Sequence, residues 1–112
     1  MICRRYDVVT VPFPFVDRPE TKNRPAVVLS NKEFNRSKHT ILAMITTKND
    51  PAWPGDSQIN DYRDAGLRLP CLVRLKFFTL DNRLLRKKTG HLSKKDSSKI
   101  SKHLRSYLVE HG

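Results

Sequence analysis

Short β-branched and apolar runs, broken by prolines, constrain this chain more than any other feature. Residues 6–13 (Tyr-Asp-Val-Val-Thr-Val-Pro-Phe) predict a strand in which Pro12 ends regular pairing. Pro14, Pro19 and Pro25 mark 14–25 as a long exposed loop. Ala26-Val27-Val28-Leu29-Ser30 predicts a second strand covered on both faces. Asn31 to Lys38 is polar, with room for a helical turn, and residues 40–46 (Thr-Ile-Leu-Ala-Met-Ile-Thr) predict a third strand. Asp50 to Gly55 holds two prolines and a glycine and reads as a loop, and Asp61 to Gly66 reads as one turn that Gly66 stops. Residues 71–79 predict a long strand with Leu72, Arg74, Lys76 and Phe78 on one face, and residues 80–92 a short turn and a last strand.

The period then changes. Ser93-Lys94-Lys95-Asp96 fits a capping box with Asp96 in the place of Glu or Gln. Ile100, Leu104, Tyr107 and Leu108 follow at i, i+4, i+7 and i+8, while Lys94, Lys95, Lys99, Lys102 and Arg105 occupy the rest of the surface. The expected fold is therefore mainly β, a small barrel of five to six strands closed by one C-terminal amphipathic helix. With 112 residues the chain is expected to be a single domain, 1–112. A chain this small buries a limited share of its surface, a reason to expect a homodimer.

Lys and Arg total 22 against 11 Asp and Glu, a formal charge of +11. The excess is uneven: residues 1–62 carry 9 basic and 7 acidic side chains, residues 63–112 carry 13 and 4. Such a field favours polyanions over neutral substrates, with nucleic acid as the expected partner. Cys3 and Cys71 form no CxxC pair, and Cys71, among Leu69, Leu72 and Val73, reads as a buried apolar residue. Met1-Ile2-Cys3 runs into Arg4-Arg5 with no apolar segment behind, and no stretch reaches the length of a membrane span, so a cytoplasmic protein without membrane contact is expected. His39, His91, His103 and His111 are scattered, with no HExxH and no carboxylate cluster, so neither a metal site nor a cofactor is expected. His91 reads as part of a solvated turn and His103 as a surface residue.

Few residues remain to carry chemistry. Arg24 stands before Pro25 at the end of the first loop, pushed towards extended backbone, where a guanidinium can grip a phosphate through two parallel hydrogen bonds. The alternative is a surface ion pair with Glu20 or Asp17. Thr46 and Thr47 end the third strand, where hydroxyls can donate to a phosphate or simply cap a turn. Trp53, between Pro51 and Pro54, can stack on an unpaired base or fold back on the barrel.

Taken in order, these segments resemble the MazF/PemK (Kid-like) toxin family. The likeness lies in Asp7-Val8-Val9-Thr10-Val11-Pro12-Phe13, Asn23-Arg24-Pro25-Ala26-Val27-Val28-Leu29-Ser30, Phe34-Asn35 and Met44-Ile45-Thr46-Thr47, then in Phe78-Thr79-Leu80-Asp81 and Gly90-His91-Leu92-Ser93. It spans residues 6 to 108. The resemblance implies an SH3-like barrel, a homodimer, and an mRNA-cleaving endoribonuclease, metal-independent and restrained by an acidic antitoxin. It also implies Arg24 and Thr46 as the catalytic pair, with Thr47, Arg74, Lys76, Glu20 and Trp53 as candidate RNA contacts. Three departures stand out: Tyr6 replaces a glycine before Asp7, Phe78 replaces an arginine, and the acid some members carry near Arg74 is absent among Leu75 and Lys76. Two other classes compete with the enzyme. One is a non-catalytic nucleic-acid-binding barrel. The other is a protein-directed toxin on the same barrel, which acts through a C-terminal tryptophan, whereas the single tryptophan here is Trp53.

Overall fold

Successive strand residues point to opposite faces, so a run such as Val8-Val9 or Val27-Val28 obliges the sheet to be covered twice. The computed structural model, which describes residues 1–14, 21–47 and 51–110, meets this demand with one curled sheet and one long helix. Its elements are β1 (Asp7–Phe13), β2 (Lys22–Val28), α1 (Lys32–Asn35), β3 (His39–Thr47), β4 (Ser57–Ile59), β5 (Cys71–Asp81), β6 (Lys87–His91) and α2 (Lys94–Leu108), with a 3-10 turn at Asn82–Leu84. The strands lie in the order β4-β5-β3-β2-β1-β6 and every neighbouring pair is antiparallel. This is a mainly β half-barrel with a C-terminal helix, as the patterning predicts. No helix among the described residues is long and apolar enough to cross a membrane.

The two faces carry separate cores. Val8, Val27, Ala43, Ile45 and Val73 turn to one side and pack with Ile59, Leu92 and Ile100 of α2. Val9, Val11, Ala26, Val28, Leu42 and Leu80 turn to the other, which the curl of the sheet closes over Cys3 and Leu85. Each such aliphatic side chain stabilises the fold by about 1.5–3 kcal/mol on burial.

Several boundaries differ from those expected. Pairing continues through Pro12, which faces Asn23, to Phe13, which faces Lys22. β6 flanks β1 only as far as Thr10, so Pro12 has a neighbour on one side alone and its missing N–H is tolerated. As a result β2 begins at Lys22, and Arg24 and Pro25 lie inside a strand rather than at the end of a loop. β5 carries two extra residues opposite β3: Ala43 faces Phe77 while Met44 faces Arg74, leaving Leu75 and Lys76 in a bulge. The bulge interrupts the strict alternation expected for Leu72, Arg74, Lys76 and Phe78, although Arg74, Lys76 and Phe78 still line one cleft. Tyr6 takes φ 71°, the conformation a glycine adopts without cost, and is held there by Tyr6 N–H to Val28 O (2.7 Å) and Leu92 N–H to Tyr6 O (3.0 Å).

α2 is capped by Ser93, whose Oγ accepts from Asp96 N–H (3.2 Å). The reciprocal half of the expected capping box is diverted. The Asp96 carboxylate accepts from Asn60 N–H (3.0 Å) and Asp61 N–H (2.8 Å), with Lys99 Nζ at 3.4 Å, and so ties the helix to the turn after β4. Burial pushes the Asp96 carboxyl up, but these donors outweigh it and leave its pKa below the ordinary carboxylate value. His103 is half-buried rather than at the surface, its Nδ1 2.6 Å from Ser57 Oγ. The apolar stripe is buried at Ile100 but not at its end, where Tyr107 and Leu108 are 57% and 58% exposed.

A buried polar knot joins the N-terminal segment to α1, the start of β3 and the turn after β5. Asn35 Nδ2 donates to Cys3 O (2.8 Å) and Ser30 O (3.1 Å), and Ser30 Oγ donates to Asn35 Oδ1. Asn82 Nδ2 donates to Asn35 O (2.7 Å), and Thr40 Oγ1 to Asn82 Oδ1 (2.7 Å). Among the described residues no buried side-chain polar atom lacks a partner. Asn35→Ala leaves the buried Ser30 hydroxyl without its acceptor and the Cys3 and Ser30 carbonyls without their donor, and is expected to lower unfolding free energy in urea by about 2–4 kcal/mol. For Asp96 the folded pKa is depressed, so its contribution is present above the unfolded value and is lost as pH falls below about 4. Urea melts across pH 2–7 are expected to show a loss of stability in that acid window that is smaller in Asp96→Asn, which starts less stable at neutral pH.

Candidate RNA-cleavage site

The second face of the sheet stays open at one end, and the alternation that builds its core also decides what lines the opening. Residues two apart share a face, so Val9 and Val11 lead to Phe13, Ala26 and Val28 lead back to Arg24, and Leu42 leads through Met44 to Thr46. The result is a cleft of about 520 Å³ lined by Phe13, Arg24, Pro25, Met44, Ile45, Thr46, Thr47, Cys71, Arg74, Lys76, Phe77 and Phe78. Ala26 and Met44 are paired across β2 and β3. Two residues beyond that last pair on each strand, Arg24 and Thr46 both line the cleft. The fold thus brings together a pair separated by more than twenty positions in the chain.

Arg24 is exposed, and its Cζ lies 5.5 Å from the centroid of the Phe13 ring, a cation–π contact that steadies the guanidinium at the mouth of the cleft. Among the described residues it has no ion-pair partner; Glu20 and Asp17, the acids considered for that role, lie outside them. Thr46 is half-buried opposite Leu72, and Thr47 is exposed opposite Cys71. Cys71 is buried, as expected, and burial pushes its thiol pKa up, so it is a poor nucleophile.

Arg74 departs furthest from expectation. The sequence places no acid beside it on its strand, yet it is 7% exposed and fully engaged with one. Its Nε donates to Asp56 Oδ1 (3.2 Å) and its Nη2 to Asp56 Oδ2 (2.9 Å) and Pro51 O (2.6 Å). The carboxylate comes from the loop before β4, eighteen positions away, where no local pattern announces it. Trp53, in the same loop, folds back: its ring centroid lies 5.6 Å from Arg74 Cζ and 5.0 Å from Lys76 Nζ, and it remains 42% exposed. Phe13 and Phe77 were not singled out in the sequence either. Phe13 was legible as an aromatic two residues beyond the last buried valine of β1, whereas Phe77 stands beside the β5 bulge.

Away from the cleft, His91 lies in β6 rather than in a solvated turn, with Nδ1 2.8 Å from an oxygen of buried Asp7. Among the described residues no three His, Cys, Asp or Glu side chains gather in a way that would hold a metal ion.

The profile of the PemK-like, MazF-like toxins of type II toxin-antitoxin systems matches residues 4–108. The chain belongs to this family. No curated protein sequence matches it. Among solved structures it is similar to a chain of the MazE–MazF crystal structure (Form-III) from Deinococcus radiodurans, with a TM-score of 0.77 at 18% identity over 99% of this chain and 100% of that one. It is also similar to an endoribonuclease in complex with its cognate antitoxin from a mycobacterial species (TM-score 0.74, 18% identity, 99% and 97% covered). A second mycobacterial endoribonuclease gives a TM-score of 0.75 at 17% identity, with 96% and 92% covered. At these identities the likeness is one of fold. Arg24 and Thr46, the pair expected from the motifs, both line the cleft.

Trp53→Ala removes two cation–π contacts from a half-exposed site, and is expected to lower stability by about 1–2 kcal/mol in urea. A loop tryptophan unattached to the sheet would leave the midpoint unchanged.

Proposed function

We propose that this chain is a single-domain endoribonuclease toxin of a type II toxin-antitoxin system, cleaving single-stranded mRNA without a metal. The observation that carries the reading is that Arg24 and Thr46, from neighbouring strands, line one cleft on the open sheet face. A cation and a hydroxyl held on adjacent strands suit a phosphodiester better than a neutral ligand. The +11 charge of the chain favours RNA arriving there.

RNA carries its own nucleophile. The 2′-oxygen loses its proton and bonds to the adjacent phosphorus, the bond from phosphorus to the 5′-oxygen breaks, and the 5′-oxygen takes up a proton. The protein has to hold the phosphate in line and offset charge on its non-bridging oxygens. Arg24 is assigned the charge stabilisation, steadied by Phe13, and a guanidinium is too weak an acid to be the obvious proton donor. Thr46 is assigned a hydrogen bond to the phosphate and Thr47 a neighbouring one. Arg74 and Lys76 are assigned contacts to the strand beyond the cleaved bond. The proposed setting is cytoplasmic, as a homodimer that buries the exposed end of α2, held inactive by an acidic antitoxin. Solved relatives in complex with MazE or a cognate antitoxin support the partner class.

Single-stranded RNA incubated with the chain in EDTA is expected to yield discrete fragments. Arg24→Ala should slow cleavage by about 10²-fold or more. Intact RNA across a broad set of sequences, with binding retained by both proteins, would establish instead a non-catalytic binding barrel, a reading that Phe78 in place of the family's arginine favours. Binding to RNA is expected to weaken as salt is raised from 50 to 200 mM, through release of counterions from each neutralised phosphate.

A further inference from the structure

The loop between β3 and β4 and the bulged strand β5 meet at one carboxylate. Asp56 Oδ1 accepts from Arg74 Nε (3.2 Å), while Oδ2 accepts from Arg74 Nη2 (2.9 Å) and from Trp53 N–H (3.0 Å). Asp56 N–H in turn donates to Trp53 O (3.1 Å), closing the loop on itself. The Arg74 and Asp56 side chains are only 8% and 16% exposed, so this pair is shielded from the screening that weakens surface salt bridges. Arg74 lines the cleft, and Trp53 lies against Arg74 and Lys76 beside it.

The geometry points to Asp56 as a positioning residue for RNA: it holds Arg74 and Trp53 as one preset unit that receives the nucleotide next to the cleaved phosphate. This inference rests on the RNA reading of the cleft and deepens it. An arginine stem alone carries large rotamer freedom, which must be surrendered when it grips a ligand. The two-pronged pairing with Asp56 surrenders that freedom on folding instead. The carboxylate also offsets the repulsion that Arg74 would otherwise meet from Lys76 and Arg24 around the same cleft. The same oxygen that holds Arg74 holds the Trp53 backbone, so a cationic contact and an aromatic face keep a fixed separation. A phosphate beside an unpaired base is the ligand chemistry that this combination suits. Asp56 touches neither RNA nor the reacting atoms, and its effect passes through Arg74 and Trp53.

The test uses a random-sequence single-stranded RNA pool carrying 2′-O-methyl groups, which binds but has no attacking hydroxyl, read by fluorescence anisotropy. Asp56→Ala and Arg74→Ala are each expected to weaken binding about tenfold, the loss typical of a charged hydrogen-bonded contact. Together they should cost no more than the worse single variant, because both remove one unit. With cleavable RNA, Asp56→Ala should raise KM by a similar factor while lowering kcat less, whereas a purely structural role would lower the melting temperature and leave KM alone. If Asp56→Ala does not fold, Asp56→Asn, which keeps one acceptor oxygen, is expected to give a smaller loss of the same kind. Binding unweakened by either Asp56 variant, or losses from Asp56→Ala and Arg74→Ala that multiply, overturns the proposal alone. No binding by the unaltered chain overturns the RNA reading and this inference with it.

Discussion

A sheet that is apolar on both faces has to be covered on both, and the rest of this structure depends on how that is done with so few residues. On one side α2 lays Ile100 over Val8, Val27, Ala43 and Val73. Among the described residues no second long helix lies on the other side, and the sheet curls and closes on Val9, Val28, Leu42 and Leu80 with help from Cys3 and Leu85. Curling covers the middle of that face and leaves one end open. The cleft is that open end. Its floor is a continuation of the second core, in which the same alternation places Arg24, Met44 and Thr46 where aliphatic side chains would otherwise stand.

The polar residues inside this frame fall into two groups with different jobs. Asn35, Ser30, Asn82 and Thr40 bond to one another and pin the N-terminal segment to the start of β3 and the turn after β5. Such a knot fixes register, because any slip leaves buried donors without acceptors. Asp96 does the same between α2 and the turn after β4. At the cleft the cations differ: Arg74 is paired with Asp56, whereas exposed Arg24 leans on the Phe13 ring.

Arg74 and Trp53 show where reading the sequence reached its limit. Both were visible as candidates by residue type. Their state was not, since Arg74 was judged by its strand neighbours Leu75 and Lys76, while its partner Asp56 arrives from a loop. Similarly, the missing N–H of Pro12 predicts the end of a strand. Whether that matters depends on which neighbouring strand reaches that far, and β6 stops at Thr10. The bulge in β5, which leaves Leu75 and Lys76 unpaired opposite β3, has no local signature among residues 71–79.

By itself the sequence determined the class of fold, the helix and its cap, the two-sided burial of the strands, the excess of positive charge and the family to which its motifs conform. Those properties are local or compositional: periodicity, branching, capping chemistry and charge are carried by neighbouring residues or by their sum. Only the tertiary structure decided that Arg24 and Thr46 line one cleft, that Arg74 has an acid, that Trp53 is docked, and that the stripe of α2 ends exposed at Tyr107 and Leu108. Each of these is a relation between segments far apart in the chain, set by strand register and curl, and a pattern read along the chain holds no record of it.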